Sequence, residues 1–391
     1  TKTCKNNYFY LFIGKTEVME VPFIDLLRFE PDFLPRWREK VEQMSVTASF
    51  IGGDEVSTLE GRLESYVQVK HAVTCANGTD AIQLALRALG VGHGDLVVIP
   101  DLTFWATFEA VVNVSAKPIT IDSDSKDGGV DFELFMLAIK EHNPKAAIIA
   151  HLYGWASQQL AEIRKYCRDH GILLVEDGAQ SFGVNFRGTS IYKDALISTT
   201  SFYPAKVLGA AGDGGAVFTN DAELAAKVKQ LSNHGRSTHY GYADVGWNSR
   251  LDSLQAAFLN IVLDYLPQRI ASRRDAVAYY RAKLPALGVT QINAPSEYLE
   301  NGYLNVCLIE DPDLKLKLES LLKDRKIGFG NVYPGSMSSQ TGVLNYLHAH
   351  VGNRSTNRLC ESVLNLPLFP YMTEEELSFV VESLGLIFNK R

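Results

Sequence analysis

The spacing of apolar residues changes repeatedly along the chain. In residues 55–67 they recur at steps of three or four, which predicts an amphipathic helix. After it, short apolar runs rich in β-formers alternate with helical patterns. Strands are predicted at residues 71–75, 96–99, 118–121, 146–150, 172–175, 197–201 and 215–219. Helices are predicted between many of them, at residues 80–89, 158–170 and 222–233. This alternation predicts an α/β domain with a mainly parallel sheet covered by helices on both faces.

The pattern changes in the last third of the chain. Residues 252–284 predict one long helix, with few breakers other than Pro267. Beyond Pro285 the pattern predicts loops, a strand near residues 303–309, and helices near 314–323 and 374–388. We therefore expect an N-terminal extension at 1–20, a large domain at 21–270, and a smaller C-terminal α+β domain at 271–391.

Composition narrows the class of protein. The chain has 391 residues, 46% of them apolar, and can bury a large core. Its net charge is -7, and no basic run interleaved with aromatics is present, so we expect no nucleic-acid partner. The five cysteines are odd in number and contain no C-x-x-C pair, which favours a reduced, cytoplasmic setting. The apolar run at residues 8–13 is too short for a membrane span, and we expect no membrane role.

Candidate chemistry lies just after the predicted strands, because ligands of open parallel sheets bind beyond the strands' carboxyl ends. The first strand runs into Asn77-Gly78-Thr79-Asp80 and then a helix. Gly78 permits close backbone approach, and we expect Thr79 or Asp80 to cap the helix. The free N–H groups of its first turn suit a phosphate, although a turn of this kind is often only a cap.

Two further strand ends carry ionisable groups. Asp177 follows the strand at residues 172–175 and either caps the next turn or lies against a ring nitrogen and raises its pKa. Lys206 follows the strand at 197–201 and precedes the glycine-rich stretch 209–215. It is either a solvated surface charge or a desolvated nucleophile.

Five motifs occur in a fixed order. They are Asn77-Gly78-Thr79-Asp80-Ala81, Glu176-Asp177-Gly178-Ala179-Gln180-Ser181, the run from Ser201 to Lys206, Gly212-Asp213-Gly214-Gly215-Ala216, and Asn248-Ser249-Arg250-Leu251-Asp252. From about Val21 to the C-terminus, the chain resembles the sugar-nucleotide aminotransferases of the DegT/DnrJ/EryC1/StrS family. The resemblance implies pyridoxal 5′-phosphate (PLP) as cofactor and the aminotransferase fold type I, with a mainly parallel seven-stranded sheet in the large domain.

The resemblance also assigns a role to individual residues. Those implied to bind PLP are Gly78, Thr79, Phe104, Asp177, Gln180, Ser201, Lys206 and Asn248. Lys206 would be the catalytic residue and hold PLP as a Schiff base, Asp177 would pair with the pyridine nitrogen, and Gln180 would approach the ring hydroxyl. Gly78, Thr79 and Ser201 would hold the phosphate.

One aromatic residue and one asparagine complete the implied cofactor site. Phe104 would stack on the cofactor ring, whereas its neighbour Trp105 is expected to pack in the core. Asn248 would reach the phosphate from the other subunit. The resemblance therefore implies a homodimer with shared active sites.

The implied reaction moves an amino group from an amino acid donor, L-glutamate, to a nucleotide-linked keto sugar. Residues 75–81 and 201–209 look most like the branch that aminates 3-keto sugars such as UDP-linked 3-keto N-acetylhexosamines; 4-keto amination is the alternative. The product would enter surface polysaccharide or lipid A-type glycan. A lyase or dehydratase on the same fold and a non-catalytic sugar-nucleotide-binding or regulatory member are the rivals. The branch that dehydrates sugars has histidine in place of Lys206.

Two residues are expected to contact the substrate. Arg250 would meet a sugar carboxylate or a nucleotide phosphate, or else form a structural ion pair with Asp252 or another acid. Many relatives carry His-Tyr where this chain has Val332-Tyr333, so the sugar pocket differs there, and Tyr333 remains a candidate contact.

No metal site is predicted. Asp122, Asp124 and Glu133 fit three positions of a calcium loop, but the residue where that loop needs glycine is Asp127, so a solvated turn is expected. His348 and His350 have no third ligand nearby in the sequence. A surface loop is expected there.

Overall fold

The computed structural model describes residues 19–238 and 240–388, so the predicted extension at 1–20 lies outside the described residues except for its last two. The helices are α1 (Phe33–Thr47), α2 (Asp54–Val67), α3 (Gly78–Ala88), α4 (Trp105–Asn113), α5 (Phe132–His142), α6 (Leu160–His170), α7 (Ala222–Ser232), α8 (Ser253–Lys283), α9 (Pro312–Asp324), α10 (Ser355–Ser362) and α11 (Glu374–Phe388). The strands are β1 (His71–Cys75), β2 (Leu96–Pro100), β3 (Lys117–Ile121), β4 (Ala146–Ala150), β5 (Leu173–Asp177), β6 (Asn185–Phe186), β7 (Thr189–Ser190), β8 (Ile197–Ser201), β9 (Gly215–Thr219), β10 (Thr290–Ile292), β11 (Tyr298–Leu299), β12 (Val306–Leu308), β13 (Ala349–Val351) and β14 (Val363–Leu364).

The central sheet has the strand order β1-β9-β8-β5-β4-β2-β3-β13. Strand β9 runs antiparallel to both of its neighbours, and the other pairs are parallel. All seven predicted strands are present in it, which confirms the α/β fold with a mainly parallel sheet. The eighth strand, β13, comes from the C-terminal part of the chain and was not predicted, because three residues are too few to establish a period.

Each face of the sheet has its own hydrophobic core. Along β2, Val98 belongs to one buried cluster while Val97 and Ile99 belong to the other, as the alternation of side chains in a strand requires. Helices α2, α5, α6 and α8 cover the first face, and α3, α4 and α7 cover the second. The sheet is thus buried on both sides, and polar residues at its carboxyl edge are held in fixed positions.

A third buried cluster lies in the C-terminal part, where β10, β12 and β14 form a small sheet that α9 and α11 accompany. The strand predicted near 303–309 is shorter, at Val306–Leu308. Helix α8 joins two clusters: Phe258 and Ile270 pack in the first core, whereas Ala276 and Tyr280 pack in the third. We propose on this ground that the domain boundary lies near residue 270.

Two predictions about polar residues are wrong. His350 is not in a surface loop: it lies in β13, where its Nδ1 is 3.0 Å from Thr120 Oγ1. Asp122 is not part of a solvated turn, because its side chain is fully buried. Both errors have one cause, since β13 joins the sheet edge from more than 200 residues away and covers the end of β3.

Cys75, Cys167, Cys307 and Cys360 are buried and unpaired. Between residues 19 and 388, leaving out residue 239, no helix is long and apolar enough to cross a membrane.

Candidate active site

A cavity of about 440 Å³ opens at the carboxyl ends of the central strands. Eight of the residues singled out in the sequence line it: Gly78, Thr79, Phe104, Asp177, Gln180, Ser201, Lys206 and Tyr333. They come from segments spread over more than 250 residues of the chain. The sheet topology brings them together, as expected for ligand sites of open α/β sheets.

One end of the cavity is the N-terminus of α3. The helix begins at Gly78, and its cap is Asn77, whose side-chain oxygen accepts a hydrogen bond from the Asp80 amide at 2.8 Å. The expectation that Thr79 or Asp80 caps the helix is therefore wrong. Because Asn77 takes the Asp80 amide, the amides of Gly78 and Thr79 are the first-turn donors left for an anion.

Gly78 also has a steric reason to be glycine. A Cβ at this position would lie 2.7 Å from Ser201 Cβ, so any side chain would push α3 away from the end of β8. The close approach brings the Ser201 hydroxyl beside the first turn of the helix, with Ser201 Oγ 3.2 Å from that Cβ position. The two segments together form a small cradle of amide and hydroxyl donors.

Asp177 ends β5 and is 8% exposed. Its Oδ1 accepts a hydrogen bond from the Ala179 amide at 3.0 Å, and its Oδ2 accepts one from Thr107 Oγ1 at 3.3 Å. Burial raises the pKa of this carboxyl, although the hydrogen bonds and the nearby Lys206 oppose the effect. A cationic N–H in the cavity would stabilise the carboxylate, and the carboxylate would stabilise that cation.

Behind Asp177 lies a buried ionic network that the sequence did not reveal. Arg164 makes two parallel hydrogen bonds to Glu176, at 2.7 and 2.8 Å. His151 Nε2 lies 2.9 Å from the second Glu176 oxygen, and the His151 amide donates to the backbone oxygen of Asp177 at 2.9 Å. The network ties α6, β4 and β5 together directly beneath the cavity.

Lys206 reaches the cavity from the loop after β8. Its Nζ donates to Tyr303 Oη at 3.3 Å and lies 5.1 Å from the centre of the Tyr303 ring. Sequence reasoning missed Tyr303, which it placed in a strand that begins only at Val306. Nothing local could have identified it, since the two residues are 97 positions apart.

Gln180 links the cavity floor to the C-terminal part of the chain. Its Oε1 accepts from the Tyr153 amide and its Nε2 donates to Tyr333 Oη, both at 2.7 Å. The Phe104 ring is 59% exposed, with its centre 6.1 Å from that of Tyr333. Trp105 packs on Phe108, as expected of a core residue.

Asn248 and Arg250 do not line this cavity. They line a second one of about 300 Å³, which shares Asp213 with the first. Arg250 Nη2 donates to Asn248 Oδ1 at 2.7 Å, and Nη1 donates to Asn233 Oδ1 at 3.3 Å. Among the described residues Arg250 forms no ion pair with Asp252 or another acid, so the ion pair weighed as its alternative role is not formed; its partners are two asparagines.

The donor set fits PLP. A cradle of amide and hydroxyl groups at the N-terminus of α3 suits a phosphate, and a buried carboxylate suits a protonated ring nitrogen. Lys206 supplies the amine for a covalent link, and Phe104 supplies an exposed aromatic face. The residues that would hold the cofactor's phosphate, ring nitrogen and carbonyl carbon thus line the same cavity.

Comparisons with known proteins agree with this geometry. The model of the DegT/DnrJ/EryC1/StrS aminotransferase family matches residues 35–385. The chain is 34% identical over 365 residues to UDP-2-acetamido-2-deoxy-3-oxo-D-glucuronate aminotransferase of Pseudomonas aeruginosa, covering 93% of this chain and 99% of the relative. It is also 34% identical to UDP-N-acetyl-3-dehydro-alpha-D-glucosamine 3-aminotransferase of Acidithiobacillus ferrooxidans, over 93% and 96% of the two chains.

A solved structure shows that the similarity also holds for the three-dimensional fold. The crystal structure of S. venezuelae DesV in complex with a ketimine intermediate superposes with a TM-score of 0.88 at 30% identity. The match covers 94% of this chain and 98% of that one. The fold therefore agrees over nearly the whole length of both chains.

Proposed function

Because the chain belongs to the DegT/DnrJ/EryC1/StrS aminotransferase family, we propose that it aminates C3 of a UDP-linked 3-keto N-acetylhexosamine. The protein is an aminotransferase, and its cofactor is PLP. The observation that carries the proposal is the meeting of Lys206, Asp177 and the N-terminus of α3 around one cavity. PLP supplies an electron sink on which an amino group is stored between donor and acceptor.

The chain's own residues have distinct tasks in this proposal. Lys206 would hold the cofactor through Nζ, and its free amine would accept and return the proton of the donor's Cα. Tyr303 accepts a hydrogen bond from Nζ and keeps the amine within reach. Asp177 would keep the ring nitrogen protonated, because burial raises the pKa of its carboxyl and an adjacent cation favours the ionised form.

Other residues position the ring and phosphate. The amides of Gly78 and Thr79 and the Ser201 hydroxyl bind the phosphate. Phe104 covers one face of the ring and excludes water from it. Gln180, held between the Tyr153 amide and the Tyr333 hydroxyl, presents its amide toward the ring hydroxyl.

The choice of sugar rests on the relatives. The two aminotransferases described above, of Pseudomonas aeruginosa and Acidithiobacillus ferrooxidans, are named for UDP-linked sugars with an oxo group at C3. Tyr333 lines the cavity beside Phe104 and is the residue we assign to contact the sugar. Arg250 would meet a carboxylate or phosphate of the nucleotide sugar, L-glutamate is the proposed donor, and the product is proposed to enter surface polysaccharide or lipid A-type glycan.

We also propose a cytoplasmic homodimer with shared active sites. The separate cavity of Asn248 and Arg250 supports a site completed by a second copy. Ile51, which lines it, is 55% exposed, and Tyr242 and Val245, a few residues before Asn248 in the sequence, are 58% and 80% exposed. The buried, unpaired cysteines support a reducing compartment.

The test is amino transfer to a panel of keto sugars. Purified protein is incubated with PLP, L-glutamate and UDP-linked 3-keto or 4-keto N-acetylhexosamines, and amino sugar and 2-oxoglutarate are measured by mass spectrometry. We expect equal amounts of both products from the 3-keto sugar. Turnover of 4-keto sugars alone would overturn the regiochemistry, and no amino sugar from any substrate would overturn the activity.

A matched pair of lysine variants separates catalysis from non-catalytic binding. Lys206→Ala removes the proposed nucleophile, whereas Lys229→Ala removes an exposed lysine of α7. Borohydride reduction should fix PLP on the wild type and on Lys229→Ala but not on Lys206→Ala. Unmodified Lys206 in the wild type would instead favour a non-catalytic binding protein.

A further inference from the structure

Three ionisable side chains that do not line the cofactor cavity meet at one edge of the central sheet. Asp101 follows β2, Asp122 follows β3, and His350 lies in the neighbouring β13. One ligand atom from each lies within 4.8 Å of the other two. Both carboxylates are buried, and His350 is partly buried. The chain thus brings two acids and an imidazole together from segments more than 200 residues apart.

The atoms facing each other in this cluster lack hydrogen-bond partners. Asp122 Oδ2 accepts from the amides of Asn353 and Ser355, both at 2.9 Å, but Oδ1 is buried with no donor among the described residues. His350 Nε2 is likewise buried without a partner in the described part of the chain. A buried carboxylate oxygen left in this state is costly unless a cation or a hydrogen-bond donor satisfies it.

The distance between these two atoms fits a shared cation. His350 Nε2 and Asp122 Oδ1 are 3.8 Å apart, which is too far for a hydrogen bond. Two ligands bonded to one zinc ion at about 2.0 to 2.1 Å are separated by about 2.9 to 4.2 Å, depending on the angle between them. The separation falls within that range.

We propose that Asp101, Asp122 and His350 bind one divalent first-row transition-metal cation, for which Zn²⁺ is the probe. An imidazole with two carboxylates favours such a cation over Mg²⁺ or Ca²⁺, which prefer oxygen ligands alone. Two carboxylate charges neutralise the charge of the ion. Three protein ligands leave a coordination position for water.

In this proposal the cation stabilises the contact between the sheet and the segment that follows Tyr333. Asp101 Oδ1 and Oδ2 accept from the amide and hydroxyl of Ser338, at 2.6 and 2.9 Å, and its backbone oxygen accepts from the Met337 amide at 2.7 Å. Fixing Asp101 on the ion therefore fixes the segment that follows Tyr333 in the cofactor cavity. The ion acts as a clamp between the C-terminal part of the chain and the sheet.

Zinc binding to the PLP-loaded enzyme tests the site. After treatment with a chelator, the wild type should take up one Zn²⁺ per chain and melt at a higher temperature. His350→Gln and Asp122→Asn should each weaken Zn²⁺ binding by about 100-fold or more, since even outer-shell partners contribute about 10- to 100-fold. His348→Gln is the matched control, because His348 is exposed and packs edge-to-face against His142 instead. It should bind Zn²⁺ as the wild type does.

X-ray absorption of the zinc-loaded wild type tests the site without any variant, so its result does not depend on whether a variant folds. We expect only nitrogen and oxygen ligands at about 2.0 to 2.1 Å, one of them an imidazole. Sulfur in the first shell would place the ion at a cysteine and overturn the proposal. So would a wild type that binds no Zn²⁺, or equal affinities in His350→Gln and His348→Gln.

Discussion

Asp177 is the residue whose surroundings most limit what the cavity can hold. Its burial raises the pKa of the carboxyl, and a cation beside it would favour the ionised form. An opposite charge at 4–6 Å shifts a pKa by about 1 to 3 units, and the protonated fraction of a ring nitrogen changes accordingly. We therefore expect Asp177→Asn to lower kcat by about 10- to 1000-fold.

The conservative variant Asp177→Glu distinguishes the effect of losing the carboxylate charge from the effect of changing the side-chain shape. Asp177→Glu keeps the charge and should retain more activity than Asp177→Asn, with kcat measured at saturating donor and sugar. Cofactor content is measured by absorbance in both variants, so that loss of PLP is not mistaken for loss of rate. Equal rates for the two variants would contradict the proposed charge pairing.

Gly78 allows the phosphate cradle to close. Alanine there would place its Cβ 2.7 Å from Ser201 Cβ, and overpacking of this kind costs about 1 to 3 kcal/mol. We expect Gly78→Ala to weaken PLP binding by about 5- to 150-fold, measured by titrating the cofactor-free protein with PLP. The matched control is Gly61→Ala in α2, where an added Cβ meets nothing within 4 Å. It should leave PLP affinity unchanged and make the protein slightly more stable.

At the scale of elements, the network of Arg164, Glu176 and His151 holds α6 and β4 against β5. Burial alone would raise the pKa of Glu176, but the Arg164 guanidinium and the His151 hydrogen bond lower it to about 2 from an ordinary 4.5. A carboxyl with a depressed pKa in the folded state stabilises that state above its unfolded pKa. The stabilisation is lost as the pH falls from about 4.5 through 2, and it amounts to something on the order of 3 kcal/mol.

Denaturant unfolding at a series of pH values tests whether the Glu176 network stabilises the folded protein in this pH-dependent way. Glu176→Gln should be destabilised by about 3 to 5 kcal/mol at pH 7, because it leaves Arg164 buried without its counter-charge. The deficit should shrink as the pH falls below 4.5, since the wild type loses the same interaction. Glu297, which is only partly buried and pairs with the exposed Arg187, provides the control: Glu297→Gln should change stability little at any pH. A deficit that stays constant down to pH 2 would contradict the lowered pKa.

The elements differ in how far the sequence predicts them. β1, β4, β8 and β9 begin and end where predicted, because residues that favour strands, above all Val, Ile and Thr, are concentrated in these short runs. β13 was missed, since its three residues gain their strand conformation by pairing with β3 from far along the chain. The start of α3 was misplaced by two residues because the capping role belongs to Asn77 and not to the residues after it.

The same distinction applies to the site. Lys206, Asp177 and Gly78 were identified because each stands at a strand end within a recognisable motif. Tyr303 and His151 were not, since their roles arise from contacts that only the folded chain creates. The sequence did not group Asp101, Asp122 and His350: it placed Asp122 in a rejected calcium loop and His350 beside His348, and the three meet only when β13 pairs with β3.

At the scale of the whole molecule, two residues assigned to the same active site lie in different cavities of one chain. Asn248 lies in the second cavity, held by Arg250, whereas Lys206 lies in the first. In a homodimer with shared sites, each active site takes Lys206 from one chain and Asn248 from the other. Lys206→Ala and Asn248→Ala should then each have low activity, Asn248→Ala through weaker cofactor binding.

Mixed dimers of these two variants decide whether the sites are shared. In a heterodimer, one site combines the intact Lys206 of one chain with the intact Asn248 of the other, while the second site lacks both. Random exchange at equal amounts makes half of the dimers mixed, so the mixture should recover about a quarter of wild-type activity. Light scattering checks that the mass is that of two chains, and differently tagged chains show that exchange has occurred. If Asn248 served the cavity of its own chain, every site in the mixture would carry one defect, and activity would stay at the level of the separate variants.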